Sequence, residues 1–125
     1  MSPRIELEVI HLGTFPQGSD PDDLEHQYLD DDGETPVNMS AGTWAGEVMI
    51  EQLHVAVQPA GLGAGTPIAI NTSLATATYP WTAVDMSIVG RFRLMLWAGN
   101  SPAGKRHGQE FEYNVDNVAG AVPTV

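Results

Sequence analysis

The chain has no cysteine. That removes disulfide staples, a thiolate nucleophile and any cysteine-based zinc or iron–sulfur site, so stability must come from packing or from neighbouring molecules. Basic residues are scarce: 5 Lys and Arg stand against 16 Asp and Glu, for a formal net charge of −11. A surface of that sign repels phosphate backbones and anionic headgroups, which argues against nucleic-acid and membrane binding by the general surface. The same acidity also keeps a protein soluble, so charge alone does not name a partner. Long apolar runs are missing as well. The opening MSPRIELEVIHLG alternates charged with apolar positions where a signal or membrane helix needs a continuous apolar stretch. Synthesis in a cytoplasm, or incorporation into a particle there, is the expectation. No window of about twelve residues is both free of Gly and Pro and amphipathic at the helical period, which excludes a mainly helical fold.

What the chain does have is punctuation. Of its 125 residues, 13 are Gly and 9 are Pro, against a background of roughly 12% for the two together. Short alternating runs lie between these breakers. Strands are expected at residues 4–12, 24–29, 47–57, 68–70, 74–81, 91–97 and 109–115. In the last two, Phe92, Leu94 and Leu96 face one way against Arg91, Arg93 and Met95, and Phe111, Tyr113 and Val115 oppose Glu110, Glu112 and Asn114. About seven short strands in one domain-sized chain predict an all-β sandwich or partly open barrel. The domain is expected over residues 1–116, with a long loop at 13–23, a flexible loop at 58–67 in which no residue anchors a core, and an extended tail at 117–125.

No constellation of catalytic groups stands out. Asp30, Asp31, Asp32, Gly33 and Glu34 suggest a calcium loop, but Tyr28 and Met39 occupy positions where an EF-hand needs oxygen ligands, so a solvated turn is the stronger reading. His11, His26, His54 and His107 lie too far apart for a zinc motif. No serine sits in a GxSxG elbow, and GLGAGTP lacks the lysine of a phosphate loop. Neither an enzyme nor a cofactor or metal protein is expected. Thr82 and Asp85 have the spacing of a capping box, which predicts one helical turn before Gly90. Of the tryptophans, Trp81 reads as core, while Trp44 or Trp97 could face a partner. Trp97 shares its strand face with Arg91, Arg93 and Met95, a mixture common at interface cores, although a second packed sheet would explain it equally well.

Two stretches, YLDDDGETPVNMSAGTWAGEVMIE and TATYPWTAVDMSIVGRFRLMLWAGNSPAGKRHGQEFEYNV, carry a family resemblance. The chain resembles the immunoglobulin-like domain found at the N-terminus of phage baseplate upper proteins and in related neck and tail proteins. The matching features are Tyr79, the Thr82 and Asp85 turn, Gly90, Phe92, Gly104 and the final strand from Phe111 to Val115, within roughly residues 24–116. The first strand and its GSDPDD loop have no counterpart in that pattern. The resemblance implies an immunoglobulin-like β-sandwich and a structural virion protein, assembled in the host cytoplasm. Small size and missing cysteine are similar to head-to-tail connectors, whose stopper subunits form a ring that meets portal, adaptor and tail proteins. Gly61, Leu62 and Gly63 would then lie at the ring's lumen or a subunit joint, and Trp44, Arg91, Arg93 and Trp97 complete the expected interface. Capsid decoration or a baseplate role is the alternative within the particle. A carbohydrate- or host-surface-binding module is the alternative of another class.

Overall fold

A computed structural model of the chain describes residues 8–64, 68–102, 104 and 106–117. Seven strands run through these residues: β1 (Ile10–Pro16), β2 (Leu24–Gln27), β3 (Thr43–Gln52), β4 (Ala69–Asn71), β5 (Thr76–Tyr79), β6 (Gly90–Ser101) and β7 (Arg106–Asp116). They form a four-stranded sheet ordered β1-β7-β6-β3 and a three-stranded sheet ordered β2-β5-β4. The only helical segment among the described residues is a 3-10 turn at Val84–Met86. No helix there is long and apolar enough to cross a membrane.

Period-two alternation builds the core. Phe92, Leu94, Leu96 and Ala98 of β6 and Phe111, Tyr113 and Val115 of β7 are buried on one face of the larger sheet. Opposite them lie Leu24, Ala77 and Tyr79 of the smaller sheet, with Tyr28, Val37, Met39 and Met86 from the connections. The all-β expectation and the inward faces of these last two strands are borne out. Burying side chains of this size stabilises by about 1.5–3 kcal/mol each, and the strand pairing keeps their backbone groups satisfied.

The first and third strands depart most from their expected ranges. The first strand starts at Ile10 and continues to Pro16, so residues 13–16 are strand where a loop was expected, and residues 4–7 lie outside the described residues. β1 runs parallel to β7 with an irregular register between His11 and Thr14. Gly13, at φ +88°, occupies that break, and the extra residue places Leu12 and Phe15, three apart, against the same core. Simple alternation misses this because a bulge resets the period. The third strand spans residues 43–52 and not 47–57, which puts Trp44 in a strand instead of a loop.

Beyond Gln52 the chain turns back and covers its own sheet edge. The Gln52 N–H donates to Gln58 Oε1 at 2.6 Å, and Gln58 Nε2 donates to the Gln52 carbonyl at 2.9 Å. One side-chain amide thus makes both bonds that a neighbouring strand would make there, which blunts the edge of β3. Within the loop expected at 58–67, residues 58–64 are anchored, although no residue there was expected to anchor a core. Leu62 packs on the core, and Gly63 N–H donates to Asp85 Oδ1 at 2.9 Å. Residues 65–67 of that loop lie outside the described residues.

Candidate interaction surface

The solvent side of the larger sheet gathers the chain's described arginines. Pairing sets Glu51 beside Arg93 and Arg93 beside Glu112, with Glu112 next to His11 of β1. Arg93 and Glu51 form an ion pair. Glu112 Oε2 lies 3.8 Å from the Arg91 guanidinium and 3.5 Å from His11 Nδ1. One ladder position along, Met49 stands beside Met95 and Met95 beside Glu110. Next comes Trp97, between Glu47 and Gly108.

Trp97 is held by its neighbours. The Arg106 guanidinium lies 4.7 Å above the indole, and the same side chain binds Glu47 at 2.7 Å. Gly108 leaves room for the ring, since a Cβ there would come within 2.5 Å of it. A cation over an indole adds about 0.5–1 kcal/mol at an exposed site. The glutamate pairs, partly open to water, each contribute about 0–1 kcal/mol and weaken in salt. Their main effect is orientation. They hold a strip of Met49, Met95 and Trp97 between fixed charges, with Met49 about half exposed at 48%.

The seven residues expected at an interface therefore fall in three places. Arg91, Arg93 and Trp97 share this outer face. Trp44 belongs to the other side of the sheet, where it packs on the core, donates from Nε1 to the Ala41 carbonyl at 3.1 Å and stacks on His107 at 6.0 Å. Gly61 faces Val84, and Leu62 and Gly63 lean on the core and the 3-10 turn.

Sequence reasoning saw Asp85 only as a cap. It is fully buried. Its carboxylate accepts from Tyr79 OH at 2.5 Å, Thr82 N–H at 3.0 Å and Gly63 N–H at 2.9 Å. Thr82 Oγ1 accepts in return from Asp85 N–H at 3.3 Å, the reciprocal pair expected of a capping box. The Asp85 carbonyl also accepts from Tyr113 OH at 3.1 Å. Burial, reinforced by the nearby Asp85 charge, pushes the Tyr113 phenol well above its ordinary range. A buried carboxylate is tolerated only when satisfied in this way, and here it ties the 58–64 loop to β5 and the 3-10 turn, while the Asp85 carbonyl adds the link to β7.

The acidic turn closes on itself. Asp32 accepts from Thr35 Oγ1 at 2.5 Å and from the N–H groups of Thr35 and Glu34 at 2.8 and 2.9 Å. The Thr35 hydroxyl first, then these amides, hold its carboxyl down at about 2. Among the described residues no three His, Asp or Glu side chains are placed to hold a metal ion. No protein-family model matches the chain, and no curated protein matches it.

Proposed function

We propose that this chain is a structural subunit of a tailed-bacteriophage virion, a head-to-tail connector of the immunoglobulin-like sandwich type that acts by assembling with copies of itself and with neighbouring virion proteins. The observation that carries the assembly reading is the outer face of β3, β6 and β7. In a chain of net charge −11 it brings together Arg91, Arg93 and Arg106, four glutamates and the Met49, Met95 and Trp97 strip. Aromatic, methionine and arginine side chains are the groups enriched at interface cores, and fixed charges of both signs set the register of a partner.

The phage reading draws its support from the sequence resemblance of residues 28–51 and 76–115. A ring suits a small subunit whose neighbours bury part of its surface, and an acidic channel wall lets DNA pass without adhering. Immunogold labelling of intact particles of the encoding phage tests the location. Label at the head–tail junction is expected. Label on the capsid lattice or baseplate would move the subunit to the alternative sites, and unlabelled particles would end the virion reading.

A further inference from the structure

We propose a second binding site, in the gap between the two sheets on the side where β1 faces β2, and that it captures an extended, arginine-bearing polypeptide segment of another protein. This inference stands apart from the virion reading. Among the described residues both lips of the gap are edge strands, since β1 pairs there only with β7 and β2 only with β5. The groove between them has a volume of about 510 Å³.

Its floor is apolar and aromatic. Leu12 and Phe15 of β1, Leu24 of β2 and Trp81 line it. Phe15 lies 6.0 Å from Trp81 and 6.0 Å from Tyr113, and Trp81 meets Tyr113 edge-on at 5.1 Å, so the core's aromatic cluster continues outward to this opening. The rim is acidic, formed by Asp22, Asp23 and Glu25. None of the three belongs to an ion pair among the described residues, whose arginines are all engaged by glutamates on the larger sheet's outer face.

Charge and shape together select the occupant. A guanidinium stacks on an indole or phenyl face while its donors reach carboxylates, and its methylene stem covers leucine. An extended backbone adds to an open strand edge and sends alternate side chains inward. A simple diamine meets the rim but leaves the floor unfilled.

The test is titration of the isotope-labelled protein with acetyl-Val-Arg-Val-Arg-Val-amide, followed by NMR, beside the peptide in which glutamine replaces arginine. Saturable shifts are expected at the Trp81 indole N–H and the Leu24 and Glu25 amides. Affinity should fall about fivefold in Asp22→Asn/Asp23→Asn and change less than about twofold in Asp30→Asn/Asp31→Asn, which removes equal charge elsewhere. Equal binding of the glutamine peptide, equal loss in both double variants, or shifts confined to other surfaces would overturn the proposal.

Discussion

On the outer face of the larger sheet, each described arginine sits against a glutamate, and the apolar strip between the pairs is methionine and tryptophan. At the groove between β1 and β2, three carboxylates stand over Phe15 and Trp81 and, among the described residues, none of them is paired with a cation. Both surfaces belong to one small chain with an excess of acid, yet that excess is not spread evenly. A face whose charges are already neutralised loses little by being covered, and it discriminates through shape. A groove with unneutralised carboxylates attracts cations over a distance set by salt.

Substitutions can separate the two surfaces. The largest effect is expected where the groove's aromatic floor meets the core. Asp85→Ala removes an acceptor of the Tyr79 hydroxyl and of the Thr82 and Gly63 amides, at a cost of about 3 kcal/mol or more, read from the urea midpoint. Asp85→Asn keeps one acceptor oxygen and should lose less. A loss within about 0.5 kcal/mol for Asp85→Ala would mean that the buried carboxylate is not what ties loop, turn and sheet together.

A smaller change should strike the outer face alone. Gly108→Val places a side chain where the Trp97 ring lies and lifts the indole from under Arg106, costing about 1 kcal/mol with a shift in Trp97 fluorescence. Peptide binding in the groove should not change. If it does, the two surfaces are coupled through β6 and β7.

The smallest effect concerns β2, one lip of the groove. Its His26 packs edge-on against Tyr28 at 4.8 Å and Phe111 at 5.6 Å, and burial lowers its pKa below the ordinary 6.5. The unfolded chain then binds a proton that the folded chain resists, so this stability is present above pH 6.5 and is lost as pH falls through the folded value. Amide exchange in β2 and β5 should quicken as pH falls from 6.5 into the mildly acidic range while β3 and β6 hold, and His26→Leu should flatten the response. Asp32, held at about 2, does not titrate in that window.

Much of the outer face was readable from residue order, because β6 and β7 alternate without interruption and place Arg91, Arg93 and Trp97 together. The Thr82 and Asp85 spacing likewise announced its turn. Period and composition failed where a single residue changed the geometry. Gly13 hid the continuation of β1 behind a bulge, and the glycines flanking Leu62 disguised a segment held by a hydrogen bond 22 residues distant in sequence. The groove was illegible for a related reason. Phe15, Leu24 and Trp81 meet only where the two sheets pack on each other, and the acidic loop beside them reads locally as plain solvated chain.

Assembly through the outer face is the central claim, and particle composition tests it most directly. Met95→Asp places a new carboxylate between Met49 and Glu110 without entering the core, so its stability should stay within about 0.5 kcal/mol of wild type. Quantitative mass spectrometry of purified particles, produced with wild-type or Met95→Asp subunit, should find the variant depleted about tenfold or more. Incorporation of the folded variant at the wild-type level would contradict the account.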